Sequence, residues 1–206
     1  MQFEKFGSLT RFSQGWTITE KLDGTNGQIA FAPIELYEGP TDENSCVILG
    51  ELVMRAGSRN RWLTLDKDNA GFCWWAFNNA EELSKMGVGR HYGEWYGSGI
   101  QRGYGLSGGD KRFALFNALR WTDNPDTPEC CEVVHAFMLN EYVDNPHGAA
   151  MGAMSLLKQE GSQHVRGFDN PEGIVMFHRK SGVAFKKTFD YDEKGKWAEQ
   201  EANRQG

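Results

Sequence analysis

The stretch from Trp16 to Phe31 constrains this chain more than any other. Trp16-Thr17-Ile18 reads as one strand and Gln28-Ile29-Ala30-Phe31 as another. Between them lies Thr19-Glu20-Lys21-Leu22-Asp23-Gly24-Thr25-Asn26-Gly27. Asp-Gly and Asn-Gly both favour tight turns. The fold must therefore set Lys21 just past a strand, beside a turn that exposes its backbone. A lysine amine is ordinarily protonated, with a pKa of about 10.4. Burial and neighbouring cations lower that value and free the lone pair. A lysine so held could attack a phosphorus and carry a nucleotide covalently. On this stretch alone, a solvated lysine leading into a β-turn remains the plain alternative.

The rest of the chain bears on that choice. With 206 residues, it is long enough for one well-buried domain and short for two. Hydrophobic residues make up 39%, and no apolar run approaches the roughly 20 residues of a membrane span. Met1 to Phe6 lack the apolar core of a signal peptide. Cys46, Cys73, Cys130 and Cys131 contain no CxxC pair, and the adjacent Cys130 and Cys131 suit neither zinc spacing nor an ordinary disulfide. The expectation is a set of reduced thiols in a cytoplasmic protein. The net charge of −6 argues against coating nucleic acid by bulk charge, but a local basic groove is compatible with it.

An acidic loop runs from Glu35 to Ser45. Cys46 to Met54 follows as a strand pair or one long strand. Arg55, Arg59 and Arg61, close together with Gly57 and Trp62, form a candidate anion site. A solvated strand end is the alternative. Asp66 and Asp68 are capping candidates for a helix from Asn69 to Met86. Its apolar stripe is Phe72, Trp75, Ala76, Ala80, Leu83 and Met86, read as core. Arg90 to Gln101 alternates like a strand and ends in a glycine loop. Glu94 is the lone acid on its aromatic stretch, and a carboxylate there needs a partner. A ribose hydroxyl, a metal-bound water or a core arginine would serve. His91 reads as a packed strand residue.

Lys111 to Leu119 reads as a strand whose leading cations, Lys111 and Arg112, could face a phosphate. Phe116 could stack on a base, with core packing as the default. Cys131 to Phe137 reads as a further strand. Asn145-Pro146 opens a helix to about Lys158, with Met151, Met154, Leu156 and Leu157 expected inward. Pro171–His178 and Gly182–Phe189 look like a hairpin turned at Ser181-Gly182. Glu172 stands at the start of the first strand. Lys186 and Lys187 point to opposite faces of the second, so one of them faces the interior or a cleft. The tail from Asp190 onward is charged, and a helical or frayed end is expected.

In order, the chain thus offers Lys21 in KLDG, Glu94 in YGEWYG, Phe116 in FALF, Glu172-Gly173 in EGIV and Lys186 in AFKK. This series resembles motifs I, III, IIIa, IV and V of the covalent nucleotidyltransferases: DNA ligases, RNA ligases and capping enzymes. The nearer resemblance is to the RNA ligase branch, the phage RNA ligase 2 and RNA-editing ligase group. Asn26 stands at the sixth position counted from the lysine, where DNA ligases and capping enzymes normally carry arginine. GSGIQRGY after Glu94 also resembles that group. Asp23 departs from RNA ligase 2 proteins, which usually carry histidine there.

The resemblance implies an α+β fold. Two antiparallel sheets would pack together with helices outside and a nucleotide cleft between them. It also implies ATP-dependent sealing of 5′-phosphate and 3′-hydroxyl ends, RNA above all, through a lysyl-AMP on Lys21. Mg²⁺ or Mn²⁺ would assist. Glu94 would hold the ribose, Phe116 would stack on adenine, and the Glu20 backbone and the Asn26 side chain would frame the nucleotide. Arg59 matches an arginine that acts in sealing, with Arg61 as a second candidate. Arg55, Arg59 and Arg61 would meet nucleic acid. Glu172 would position metal or phosphate. Lys186 matches the first lysine of a KxK pair whose second position is Thr188 here, so either Lys187 or another cation substitutes, or one phosphate contact is missing.

Residues 1–206 would form one adenylyltransferase domain with no appended nucleic-acid clamp. Substrate binding should then be weak and salt-sensitive, and ends held by a duplex or partner protein should be preferred. Asn26 speaks against a DNA ligase or a capping guanylyltransferase. Lys21, Glu94, Glu172 and Lys186, all intact, speak against a non-catalytic nucleotide-binding domain.

Overall fold

A computed structural model of the chain describes residue 3 and residues 7–190. The charged tail beyond Asp190 lies outside the described residues. In chain order the strands and helices are β1 (Trp16–Lys21), β2 (Thr25–Pro33), β3 (Val47–Leu49), β4 (Leu52–Gly57), α1 (Phe72–Asn78), α2 (Ala80–Leu83), β5 (Gly89–Gly97), β6 (Lys111–Leu115), α3 (Ala118–Trp121), β7 (Cys131–Val133), β8 (Ala136–Met138), α4 (Pro146–Glu160), β9 (Gly173–His178) and β10 (Val183–Thr188). They build an α+β fold of two sheets. One has the order β3-β4-β2-β5-β6-β7 and the other β10-β9-β1-β8. Pairing is antiparallel except between β6 and β7, which run parallel.

Strand alternation assigns the layers. In the larger sheet, Ile29, Phe31, Met54, Ala56, Trp95 and Phe113 face a core shared with Phe72, Ala76 and Leu83 of α1 and α2. In the smaller sheet, Ile18 and Ile174 face Ala150, Ala153, Met154 and Leu157 of α4. Between the sheets lies a smaller cluster of Leu22, Tyr96, Tyr104, Ala114, Ala118 and Val134. The apolar filling is thus concentrated at one end of the inter-sheet space, and the other end stays open.

Several elements differ from the sequence expectation. The helix expected over Asn69–Met86 is broken into α1, α2 and a 3-10 turn at Ser84–Met86. Asn79 leaves helical geometry at φ −109°, ψ 16°. The side chains of Asn78 and Asn79 donate back to the carbonyls of Trp74 and Trp75, the competition with helix that short polar side chains set up. Asp68 does cap the first piece, accepting from the amides of Cys73 and Trp74 at 2.7 and 3.1 Å. Asp66 instead accepts from Thr64 and Asn44.

The strand expected over Lys111–Leu119 ends at Leu115 because Asn117 opens α3, its side chain accepting from the Arg120 amide. The single strand expected at Cys131–Phe137 is two, β7 in one sheet and β8 in the other. The crossing is fixed by Val134 N–H donating to Leu115 and the His135 carbonyl accepting from Glu20. On α4 the inward stripe is Ala150, Ala153, Met154 and Leu157, at i, i+3, i+4, i+7 spacing. Met151 is 41% exposed and Leu156 only half-buried, so those two inward assignments are corrected.

Candidate active site

Antiparallel pairing of β1 with β9 sets Lys21 opposite Gly173. Glu172 immediately precedes that glycine, so register alone brings the two side chains together. Lys21 Nζ donates to Glu172 Oε2 at 2.5 Å, with the side chains 23% and 16% exposed. The pair is part-buried but reachable. Gly173 has φ +149°, and an added Cβ would sit 2.1 Å from the Lys187 carbonyl oxygen. Only glycine lets β10 approach this closely beside Glu172.

The second half of the site comes from β2 and β5, where Asn26 pairs with Glu94. Glu94 is buried at 7% exposure. Its Oε1 accepts from the Gly24 amide at 3.0 Å and its Oε2 from Asn26 Nδ2 at 3.2 Å. Gly24 must be a glycine for this, since an added Cβ would lie 2.4 Å from the Trp95 carbonyl oxygen. The Asn26 Oδ1 accepts in turn from Arg59 Nε at 2.7 Å. Turn, acid, amide and arginine therefore form one polar chain. Burial pushes the Glu94 carboxyl up to about 7, against the opposing influence of the Lys21 charge and the Gly24 amide.

That shift carries a stability signature. Between about pH 4.5 and 7 the folded protein holds a proton on Glu94 that the unfolded chain has released. Stability should therefore fall as pH rises through that window, by about 3 kcal/mol at most, and flatten above it. Urea titrations of wild type and Glu94→Gln across pH 4 to 8 check this. The variant should lack that slope.

A cavity of about 700 Å³ opens between the sheets, within the range of small-molecule sites, roughly 300–1,000 Å³. One wall carries Asn26, Tyr92, Glu94 and Phe116. The other carries Thr17, Thr19, Val175, Phe177 and Lys186, with Lys21 and Arg59 also on the lining. Phe116 is 39% exposed, open to a planar ligand rather than spent in the core. Lys186 stands directly across from Val175, on the cleft face. The cavity thus combines a lysine amine paired with a carboxyl group, a buried acceptor, an aromatic wall and further cationic side chains at Arg59, Arg179 and Lys186. That set offers a planar ligand an aromatic face, its hydroxyls an acceptor and its phosphates positive charge.

Not every candidate converges there. Lys187 pairs with Ile174, on the sheet face turned to α4, so it is corrected as a cleft cation. The three arginines do not form one cluster. Arg55 donates to the Ser45 carbonyl and lies over Trp62. Arg61 donates to the carbonyls of Lys67 and Asp68. Only Arg59 of the three lines the cavity. Lys111 donates to the Ala70 carbonyl, and Arg112 pairs with Asp110 and Glu132, so neither faces the cleft. The Glu20 side chain points away from it, accepting from Ser162, Gln163 and His164. His91 is packed and bonded to the Gly87 carbonyl. Among the described residues no cluster of three or more His, Cys, Asp or Glu forms a metal site, and all four cysteines are free.

Some lining residues carried a sequence signal that went unused. Tyr92 lies two residues from Glu94 on the same strand, and Val175 two from Gly173. Period-two alternation points both into the cleft. Arg102 bonds to Asp23 beside the lysine turn, and nothing in local spacing links those two positions.

Against known proteins, no curated protein gives a significant match. The folded chain resembles solved structures of the Naegleria gruberi RNA ligase. A mutant of it with AMP and Mn matches at TM-score 0.54 and 19% identity, over 85% of this chain and 50% of that one. A mutant with ATP and Mn matches at TM-score 0.53 and 19% identity, over 89% and 52%. The form with PPi matches at TM-score 0.51 and 19% identity, again over 89% and 52%. At such identity these likenesses speak to fold, and this chain spans about half the length of the structures it matches. The sequence itself matches the RNA ligase family over residues 14–199. The chain belongs to the RNA ligase family.

Proposed function

We propose that this chain is an ATP-dependent RNA ligase acting through a lysyl-AMP on Lys21, with its 206 residues working as one adenylyltransferase unit in the cytoplasm. The observation that carries the reading is Lys21 Nζ held 2.5 Å from Glu172 at a cavity that also contains Glu94, Phe116, Arg59 and Lys186. Among the solved structures it resembles are forms with ATP, AMP or PPi.

In the first step the Lys21 nitrogen, its surplus protons released to solvent, bonds to the α-phosphorus of ATP, the bond from that phosphorus to the oxygen bridging to the β-phosphate breaks, and pyrophosphate leaves. In the second, a 5′-phosphate oxygen displaces the lysine, giving a 5′-5′ pyrophosphate-linked adenylate. In the third, a 3′-hydroxyl attacks the 5′-phosphate, loses its proton and releases AMP. Glu94 accepts from the ribose hydroxyls and Phe116 stacks on the adenine, with the Glu20 backbone and Asn26 framing the nucleotide. Lys186 and Arg59 supply positive charge where negative charge builds on the phosphoryl oxygens, the main source of acceleration in such transfers.

A divalent cation fits this donor set in one way. Glu172 offers a part-exposed carboxyl group and the nucleotide offers phosphates, the combination Mg²⁺ prefers with water completing its shell. When bound, such an ion neutralises phosphate charge.

Incubation with ATP labelled in the α-phosphate tests the reading. A ligase labels itself with ATP, a guanylyltransferase with GTP, and a non-catalytic domain with neither. Sealing assays on RNA, DNA and hybrid nicks then test the preference for RNA. Raising salt from about 50 to 200 mM should depress end joining by at least tenfold and leave self-adenylylation nearly unchanged, because only the former depends on many phosphate contacts. Joining that tolerates high salt contradicts this dependence on phosphate contacts.

A further inference from the structure

We infer that Arg102 is a positioning residue that sets the approach of Lys21 to Glu172, an inference that rests on the adenylylation reading above. Arg102 touches neither of those side chains. Its Nε donates to Asp23 Oδ2 at 3.0 Å. Its Nη1 donates to the Asn170 side chain and carbonyl at 2.7 and 3.1 Å. Its Nη2 donates to the Asp190 carboxyl group.

The placement of these partners gives the contacts meaning. Asp23 stands two residues after Lys21, and Asn170 two residues before Glu172. Asp190 follows β10, the strand that carries Lys186. One planar group therefore ties together the chain segments that deliver three of the cavity's functional side chains. A guanidinium presents its donors in a rigid fork, so its partners are fixed relative to one another rather than merely attracted. The Arg102 side chain is only 14% exposed, which limits competition from water.

The loop that carries Arg102 is itself held in an unfavourable shape. Gln101 and Tyr104 have φ of +44° and +50°, left-handed values costly for residues other than glycine. The same loop reaches Asp23 a second time, because the Tyr104 hydroxyl accepts from the Asp23 amide at 2.8 Å. Tyr104 is 1% exposed. Buried packing thus keeps Arg102 aimed at the lysine turn. Asp23 is also where this turn departs from the histidine of the phage group, and here the acid has a cation to meet it.

The test is single-turnover formation of lysyl-AMP in the 206-residue chain bearing Arg102→Lys, Arg102→Gln or Asp23→Asn. The rate at saturating ATP should fall by about 30- to 100-fold in both Arg102 variants, the scale of a misplacement near 1 Å. The ATP concentration giving half that rate should hardly move. Lysine should not rescue, since one ammonium cannot span the three partner residues. Wild-type rates in Arg102→Lys overturn the inference. So does a loss confined to ATP affinity. Should the Arg102 variants fail to fold, Asp23→Asn takes the charge from a single arm and Asp23→Ala removes that arm, and a wild-type rate in Asp23→Ala is equally fatal.

A second readout needs no turnover. Competitive acetylation with acetic anhydride, read by mass spectrometry, should find Lys21 several-fold more reactive in Arg102→Gln or Asp23→Asn than in wild type. Unchanged reactivity overturns the inference. If wild type forms no lysyl-AMP, the ligase reading fails by itself, and the acetylation result still decides the role of Arg102.

Discussion

Lys21→Ala should leave no detectable adduct when the protein is incubated with ATP labelled in the α-phosphate, under conditions where wild type labels itself. The loss should exceed a thousandfold, because the covalent step has no other nucleophile to fall back on. Lys186 is the other lysine on the cavity lining, but it stands on β10 across from Val175 and is not paired with Glu172. Lys186→Ala should therefore slow labelling without abolishing it. Lys21→Arg should be as inactive as alanine, since a guanidinium keeps its charge but lacks a free lone pair. Neither change at Lys21 should unfold the protein, because its side chain is 23% exposed and its ion pair is only part-buried. A labelled Lys21→Ala protein, or a wild-type adduct mapped by mass spectrometry to another residue, would sink the mechanism.

That experiment concerns the part of the site most legible from sequence. A lysine at a strand end with Asp-Gly behind it is a local pattern that survives the translation to structure, with two corrections: Lys21 closes β1 instead of following it, and Asn26-Gly27 pairs with Glu94 and Gly93 inside β2 instead of turning. The same holds for Glu94, a solitary acid among aromatic residues, which turns out buried and bonded to the turn it faces. Period-two alternation separated Lys186 from Lys187 in principle, and pairing with β9 decided which one meets the cleft.

What sequence could not supply was partnership at long range. Three arginines close together suggest one anion site, yet Arg55 and Arg61 are drawn off by the carbonyls of Ser45, Lys67 and Asp68. Unsatisfied loop carbonyls compete for guanidinium donors as strongly as a ligand does, and no spacing rule announces where they lie. The run from Cys131 to Phe137 has uniform strand character, but its two halves serve different sheets. The decision is made by the Val134 amide and the His135 carbonyl reaching opposite partners, which composition does not encode. Arg102 is the same case: its partners at positions 23, 170 and 190 are gathered only by the complete fold.

Glu20 is the sharpest instance, and it yields the second large effect. By resemblance only its backbone matters, as a frame for the nucleotide. Alternation along β1 turns its side chain away from the cleft, where it is 1% exposed. There it accepts from Ser162 Oγ at 2.6 Å, the Gln163 amide at 2.8 Å and the His164 amide at 2.9 Å. Glu20→Ala leaves one buried and two part-buried donors without an acceptor, at about 1–3 kcal/mol for a fully buried one, and adds a void. A loss of about 4 kcal/mol is expected, a large share of the roughly 5–15 kcal/mol typical of a domain. Glu20→Gln keeps the volume but offers one acceptor oxygen and turns an amide N–H₂ toward donors, so it should fall between alanine and wild type.

The damage should also travel. His164 reaches on to Glu132, which Tyr96 and Arg112 also hold. Burial opposes the charged form of Glu132, yet the bonds from His164 and Tyr96 outweigh it and keep that carboxyl down at about 2. Freeing the 162–165 turn loosens this network and with it the end of β1 that carries Lys21. Urea unfolding monitored by tryptophan fluorescence gives the stability, and lysyl-AMP formation below the transition gives the consequence for chemistry. A Glu20→Ala midpoint within about 1 kcal/mol of wild type would mean that the turn keeps its shape without this carboxyl group.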